Sequence, residues 1–284
     1  MATVRELQGE GRRRLAGRVD SFPGRESSRL LAHLLGLSEG SLPAFDDREV
    51  EPETERRFLD LVDRRAAGEP AAYLTGGREF FGRRFQVDRR VLVPRPETEH
   101  LIEIALGLPV PARARVLDVG TGSGAIAVTL AAERPEWRVV GADLSLAALA
   151  VARGNGRALL GGASPPWVAA DLVSAIDLSS FDLVVSNPPY VDPEDGALDP
   201  DVRAHEPALA LFAAKGLGAI ERLLDLGASL RPGAFLALEI GEGQAAAVAA
   251  LARRSGLYAE PQIANDLAGI ARNVVLERVD PVRG

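Results

Sequence analysis

Apolar and polar positions along the chain follow two regimes. Up to about residue 75 the apolar positions keep helical spacing: Leu30, Leu31, Leu34, Leu35 and Leu37 share a face, as do Phe58, Leu59 and Val62. Phe22-Pro23-Gly24 and Leu42-Pro43 interrupt the pattern. Glu51-Pro52-Glu53 reads as a helix start, since proline fits the first turn and acids favour the positive end of the helix dipole. The implied structure is a small helical bundle, serving either as a stabilising cap or as a docking domain for a partner. Residues 78–93, REFFGRRFQVDRRVLV, bring aromatic and β-branched residues with Gly82 and Asp88 at turn positions, which predicts a β-hairpin.

From Arg115 onward strands and helices alternate. Predicted strands are Arg115–Val119, Arg138–Ala142, Trp167–Ala170, Asp182–Ser186, Ala234–Ile240, Tyr258–Ala264 and Asn273–Glu277. Helices fit between them at Ala125–Glu133, Leu146–Arg153, Leu217–Leu230 and Gln244–Arg254. Such alternation implies an α/β fold, a doubly wound parallel sheet covered on both faces, with ligands at the carboxyl ends of its strands. The expected organisation is a helical domain over 1–77, a hairpin linker over 78–94 and the α/β domain over 95–284.

Composition narrows the function classes. The chain has no cysteine, so disulfides, cysteine-based metal sites and cysteine nucleophiles are excluded. His33, His100 and His205 lie far apart, and no metal site is expected. No apolar run reaches the roughly 18 residues of a membrane span, and the charged N-terminal stretch lacks the apolar core of a secretory signal. The expected location is the cytoplasm. The net charge of −7 argues against a protein that coats nucleic acid. The charge is uneven: residues 1–90 carry 17 Arg against 16 acids, and the remainder carries 16 basic against 24 acidic residues.

Every candidate for chemistry falls at a predicted strand end. Asp118-Val119-Gly120-Thr121-Gly122-Ser123-Gly124 follows the first strand and opens a helix, and its glycines allow the backbone to approach a ligand. Asp143 ends the next strand, where a carboxylate can accept hydrogen bonds from two ribose hydroxyls. Gly122-x-Gly124-x-x-Ala127 followed by Asp143 also satisfies a dinucleotide fingerprint, so the loop alone leaves an oxidoreductase open. Asp118 tilts the choice. It is placed to face the cationic amino group of a methionine moiety, whereas it would repel a pyrophosphate. The glycine arrangement resembles motif I of class I methyltransferases. On that reading Asp171 meets the adenine amino group and Leu172 packs on the ring, unless Asp171 is simply a helix N-cap.

The fourth strand runs into Asn187-Pro188-Pro189-Tyr190. An amide or aromatic amino nitrogen is a poor nucleophile because its lone pair is delocalised, and it carries two N–H donors. The Asn187 side-chain oxygen can accept one and the Pro188 carbonyl the other. Proline fixes φ and offers no competing donor. Tyr190 can stack on the planar group. In-line positioning then supplies much of the rate enhancement. The same clamp serves adenine, cytosine and a glutamine side chain, so the motif alone does not choose among them.

Nearly the whole chain resembles the bacterial release-factor glutamine methyltransferases, the HemK/PrmC family. The resemblance rests on the helical N-terminal domain, Glu69-Pro70-x-x-Tyr73-Leu74-Thr75-Gly76, Glu79-Phe80-Phe81-Gly82, Phe85-x-Val87, Val91-Leu92-Val93-Pro94-Arg95-Pro96-Glu97-Thr98-Glu99 and the motifs above. It ends with Glu206-Pro207-x-x-Ala210-Leu211 and Asp266-x-x-Gly269-x-x-Arg272. It implies a class I methyltransferase, Rossmann-like sheet that binds S-adenosyl-L-methionine and releases S-adenosyl-L-homocysteine. The implied substrate is the glutamine of the Gly-Gly-Gln motif in class-1 peptide chain release factors, methylated at N5. The implied cofactor positions are Gly120 to Gly124, Asp143 and Asn187; the implied substrate clamp is Asn187 to Tyr190. Arg95 and Glu97 are candidates for the substrate entrance or for an interdomain salt-bridge network. One departure is Leu172, where some relatives carry an aromatic residue. The acidic α/β half suits a protein substrate better than a DNA duplex, and no stable nucleic-acid or membrane binding is expected. A DNA or RNA adenine or cytosine amino-methyltransferase is the alternative.

Overall fold

The computed structural model describes residues 1–18, 22–174, 176–196 and 198–280. The chain divides into two compact units: Met1–Gly77 with Asp199–His205, and Arg78–Leu198 with Glu206–Gly284. Most of the first unit is α1 (Val4–Leu15), α2 (Pro23–Leu35), α3 (Pro52–Ala66) and the short α4 (Ala71–Leu74). A capping box starts α1. Thr3 Oγ1 accepts the Glu6 N–H at 3.3 Å, and the Glu6 carboxylate accepts the Thr3 N–H at 2.8 Å. Pro23 and Pro52 sit in the first turns of α2 and α3, where no intrahelical donor is lost. Leu30, Leu31, Phe58 and Val62 are buried in one core with Val4, Leu7 and Leu15.

The second unit opens with a hairpin of β1 (Gly77–Phe80) and β2 (Arg83–Gln86). Its two turn residues, Phe81 and Gly82, both take positive φ, 49° and 69°, the left-handed turn that matches strand twist. In chain order there follow α5 (Pro96–Gly107), β3 (Arg115–Val119), α6 (Ala125–Glu133), β4 (Arg138–Asp143), α7 (Leu146–Leu160), β5 (Trp167–Ala169) and β6 (Leu183–Ser186). Then come α8 (Pro200–His205, in the first unit), α9 (Ala208–Leu211), α10 (Gly218–Leu226), β7 (Phe235–Glu239), α11 (Ala245–Ser255), β8 (Gln262–Asn265) and β9 (Ala271–Glu277). The seven-stranded sheet has the order β5-β4-β3-β6-β7-β9-β8.

Five strands are parallel, but β9 runs antiparallel to β7 and β8 antiparallel to β9. The fully parallel sheet expected from the alternation is therefore corrected to a mixed one. The cause is local: Asp266 Oδ1 accepts the N–H groups of Ala268 and Ile270, and the tight turn it closes between β8 and β9 permits only antiparallel pairing. The strand expected from Tyr258 begins only at Gln262, after Pro261, which has no N–H for a ladder; Tyr258 makes an isolated bridge with Arg278. A helix also forms at Pro96–Gly107, where the sequence reading names none; Pro96 in its first turn, with Glu97 and Glu99, accounts for it.

Period-two alternation sorts the sheet residues between two cores. Leu117, Val184, Leu236 and Leu238 join Ile220 and Leu224 of α10 and Val248 of α11. Val116, Leu183, Val185, Phe235 and Ala237 join Leu101 and Ile102 of α5 and Ile126 and Leu130 of α6. The same parity puts Asp118 and Glu239 on the α5–α6 face.

Candidate functional site

The sheet order changes sense between β3 and β6, the switch point where open α/β sheets bind ligands beyond the carboxyl ends of the strands. A cavity of about 410 Å3 lies there, and its wall includes Gly120, Gly122, Asp143, Asp171, Leu172, Asn187 and Pro189. Pro207, Leu209, Ala210 and Phe212 supply much of its apolar side.

Glycine is needed in the loop for two different reasons. Gly120 and Gly122 take φ of +72° and +55° on the cavity wall, where the missing Cβ leaves the backbone open to the cavity. Gly124, at φ +80°, lies inside: a Cβ there would be 3.0 Å from the Trp167 indole and 3.1 Å from Ala152. Gly141 and Gly156 also make room for that indole, since their Cβ atoms would stand 2.5 and 3.0 Å from it. Thr121 and Ser123 are buried. Asn155 Nδ2 donates to the Ser123 carbonyl at 2.9 Å.

Asp118 lies at the end of β3, just before the glycine loop, as the sequence suggests. The side chain points to the α6 face, is fully buried and is not on the cavity wall. Its Oδ2 accepts the Thr121 hydroxyl at 2.5 Å and the Ala127 N–H at 3.1 Å, which ties the loop to the helix it opens. Oδ1 has no hydrogen-bond partner among the described residues. Burial pushes this carboxyl up to about 7, against the lowering effect of its two donors. Asp143 is on the wall. Oδ2 accepts the Gly122 N–H and Oδ1 the Ser145 N–H, both at 2.8 Å, so the carboxylate is fixed while lone pairs remain. Burial raises its pKa, partly offset by those backbone donors.

Asp171 is ion-paired with Arg222 at 2.9 Å, both half exposed, and a turn rather than a helix follows it, so it caps nothing. Leu172 holds φ +53°, a left-handed conformation that costs a leucine roughly 1–2 kcal/mol. It packs on the α10–α11 core while reaching the cavity.

Asn187 follows β6 directly. Its Nδ2 donates to Thr98 Oγ1 at 3.1 Å, and Thr98 donates to Glu239 Oε2 at 2.7 Å. Tyr190 donates its hydroxyl to the other oxygen, Glu239 Oε1, at 3.2 Å. Pro188 is buried, and its carbonyl takes no hydrogen bond from the described residues. The Tyr190 carbonyl accepts from Gln244 Nε2 at 2.9 Å. The same amide nitrogen reaches the Gly216 carbonyl at 3.1 Å, while Gln244 Oε1 accepts the Gly241 N–H. A Cβ on Gly241 would lie 3.2 Å from the Tyr190 ring. Burial first, then Glu239, raises the Tyr190 pKa.

Arg95 donates at 2.6 Å to Glu206, whose other oxygen takes the Val93 N–H at 3.2 Å. Both partners belong to the second unit, so this pair is internal to it rather than interdomain. Glu97 is exposed in the first turn of α5. Neither Arg95 nor Glu97 is on the cavity wall.

Sequence reasoning missed Thr98, Glu239 and Gln244. Glu239 is 1% exposed, and burial pushes its carboxyl up to about 7, opposed by the Thr98 and Tyr190 hydrogen bonds. The only trace in the sequence is a lone glutamate closing the apolar strand Phe235–Glu239. Among the described residues no group of three or more His, Asp or Glu is placed to hold a metal, and no helix is long and apolar enough to cross a membrane.

Known proteins agree with this architecture. Residues 6–76 match the family described as PrmC N-terminal domain, and residues 99–203 match the methyltransferase small domain. A release factor glutamine methyltransferase from Bordetella pertussis is 46% identical over 256 residues, 88% of this chain and 93% of that protein. One from Moorella thermoacetica is 41% identical over 271 residues, 94% and 95% of the two chains. Among solved structures, a Pyrococcus furiosus methyltransferase superposes with a TM-score of 0.53 at 15% identity, covering 81% of this chain and all of that one. The hMettl16 catalytic domain bound to an RNA hairpin gives 0.54 at 17% identity, over 81% and 83%. These two structures share the class I methyltransferase fold with this sheet, and the sequence relatives go further: the chain belongs to the release factor glutamine methyltransferase family.

Proposed function

We propose that the chain transfers a methyl group from S-adenosyl-L-methionine to the side-chain amide nitrogen of a glutamine in a peptide chain release factor. The finer expectation is N5 of the glutamine in the Gly-Gly-Gln motif of class-1 factors. One observation carries the reading. At the switch point, Asn187 reaches the cavity with its amide nitrogen already bonded to Thr98, and the neighbouring Pro188 carbonyl takes no donor from the described residues. Two acceptors, the Asn187 side-chain oxygen and the Pro188 carbonyl, match the two N–H groups of a primary amide.

The cavity fits the cofactor. Asp143 offers lone pairs to vicinal hydroxyls, and Leu172 with the apolar side of the cavity suits a purine. Gly120 and Gly122 give access to backbone where a Cβ would intrude. We assign Asp171 to the adenine amino end. Thr121, Ser123 and Gly124 shape the loop from inside. Asp118, assigned to the amino-acid end of the cofactor, acts from behind the wall by anchoring the loop through Thr121 and Ala127. The cofactor supplies an electrophilic methyl on a sulfonium. The protein's part is to hold the amide nitrogen in line through Asn187 and Pro188. Pro189 and Tyr190 stiffen and flank the clamp, and the nitrogen loses its proton after transfer. Arg95 and Glu97 are assigned to the mouth of the substrate path, and the helical unit over 1–77 to docking the release factor. The 78–94 segment joins it to the methyltransferase domain over 95–284.

Nucleic-acid amino groups fit the same clamp, but relatives at 40–46% identity over most of the chain are release factor glutamine methyltransferases, which does not favour that reading. The test is a labelled-methyl assay with purified release factor, followed by mass spectrometry of the modified peptide. N5-methylglutamine in Gly-Gly-Gln is expected. Label in nucleic acid, or none with any class-1 factor, overturns the proposal.

A further inference from the structure

Thr98 and Glu239 lie behind the clamp, 5% and 1% exposed, and neither is on the cavity wall. We propose that this pair decides which way the Asn187 amide faces, making Thr98 and Glu239 positioning residues for the methyl transfer described above, on which the inference rests.

The argument is one of hydrogen count. An ionised carboxylate only accepts, and a hydroxyl has one hydrogen. With Thr98 Oγ1 at 2.7 Å from Glu239 Oε2, that hydrogen is committed to Glu239. The threonine oxygen can then only accept from Asn187, 3.1 Å away. Of the two ends of the Asn187 amide, only the NH2 can meet it. The other rotamer would set two oxygens face to face with no hydrogen between them. The carbonyl end is thereby turned away from Thr98 and left without a partner among the described residues. A flipped amide would present donors to the N–H groups of a substrate amide and repel them. The same carboxylate takes the Tyr190 hydroxyl on its second oxygen, so one buried group steadies both ends of Asn187-Pro188-Pro189-Tyr190.

The strands make this possible. β6 and β7 are paired with Ser186 opposite Leu238, which brings Asn187 and Glu239 to neighbouring strand ends. Alternation turns Glu239 toward α5, whose first turn carries Thr98. The groups facing Glu239 are Thr98 and Glu97 from α5, Tyr190 from the loop after β6, and Arg272 from β9. Asn273 stands opposite Glu239 on β9. Burial, and to a lesser extent Glu97, favours the protonated form, and the Thr98 and Tyr190 hydrogen bonds and Arg272 oppose it. A protonated Glu239 no longer dictates the polarity of Thr98, so the device weakens on the acid side of neutrality.

The test uses the full chain, after wild-type methylation of release factor glutamine has been established; without that, the failure belongs to the functional reading and not to this one. Thr98→Val removes the hydroxyl at nearly constant shape, and Thr98→Ser restores it. Expected for Thr98→Val is a kcat lower by roughly tenfold or more, with the dissociation constant of S-adenosyl-L-methionine within about twofold of wild type. Thr98→Ser is expected to recover most of the loss. In an Asn187→Ala background Thr98→Val is expected to have no further effect, because it acts only through Asn187. Glu239→Gln carries a donor beside its acceptor and cannot ionise, so it mimics the protonated form; it is expected to show a lowered kcat at neutral pH and to lose the acid limb of the kcat–pH profile. Should Thr98→Val not fold, the Ser variant and the Glu239→Gln profile still decide. Wild-type kcat in Thr98→Val, additive losses with Asn187→Ala, or an unchanged acid limb in Glu239→Gln each overturn the proposal.

Discussion

The Arg95 guanidinium meets Glu206 at 2.6 Å, and the Glu206 side chain is 1% exposed. Because Glu206 also accepts the Val93 N–H, one carboxylate ties the segment before α5 to the residue preceding Pro207 on the cavity wall. Removing one partner of such a pair strands a buried charge. Arg95→Ala is expected to lower stability by about 1–3 kcal/mol, discounted for an arginine one-third exposed, and to weaken cofactor binding through the shifted wall. Glu97→Gln, exposed and without such a partner, is expected to stay within about 0.5 kcal/mol of wild type while raising the KM for release factor. Chemical denaturation and steady-state kinetics separate the two. Equal stability losses would remove Glu97 from the substrate path.

Trp167 fills a slot lined by three glycines. Gly141→Ala puts a Cβ about where the indole lies, 2.5 Å from its nearest atom. Overpacking of this kind costs about 1–3 kcal/mol. Trp167→Phe in the same chain is expected to recover part of it, and a double-mutant cycle from denaturant midpoints measures the coupling. Strict additivity would show that the glycine answers to something other than the indole.

Two buried carboxyls give the pH dependence of stability a definite sign. Asp118 and Glu239 are pushed up to about 7, above the 3.8 and 4.5 of their free forms. A raised carboxyl binds its proton more tightly folded than unfolded. Their contributions are therefore most favourable below the unfolded values and are lost as pH rises through about 7. The upper bound is on the order of 4 kcal/mol for Asp118 and 3 kcal/mol for Glu239. Between pH 5 and 8 the cofactor-free wild type is expected to lose stability relative to Asp118→Asn and Glu239→Gln. Thermal melts across that range check it, and parallel curves would contradict it.

Leu172 reaches the cavity from a strained backbone. An aromatic ring there adds stacking area against a purine, about 0.5–1.5 kcal/mol. Leu172→Phe is expected to tighten S-adenosyl-L-methionine roughly two- to tenfold in calorimetric titration. Unchanged or weaker binding would take Leu172 off the adenine wall.

Much of the fold was legible because buried parallel strands read as short apolar runs closed by glycine or a carboxylate. Arg115–Val119 and Ala125–Glu133 end where their patterns end. Strand direction was not legible at the far edge, since alternation is the same for either sense and only the Asp266 turn decides it. The strand ends of the site were readable, but which loop residues face the cavity was not. Asp118 and Gly120 are two residues apart and have opposite surroundings. Gly122 and Gly124 look alike in sequence, yet one opens to the cavity and the other makes room for a tryptophan 43 positions away. Glu239 escaped because a single acid carries no periodicity, and its partner Thr98 is 141 residues distant.

The pairing of β6 with β7 has a consequence for how activity is lost. A slip of one residue would move Glu239 by about 3.3 Å and turn it to the opposite face, away from α5. No small deformation lies between those two registers. The clamp is therefore bound to the central ladder, whose amides exchange with solvent only when the sheet opens. Helices and loops around the cavity can fray under mild denaturant and weaken the cofactor. The orientation of Asn187 is expected to persist until the sheet itself gives way.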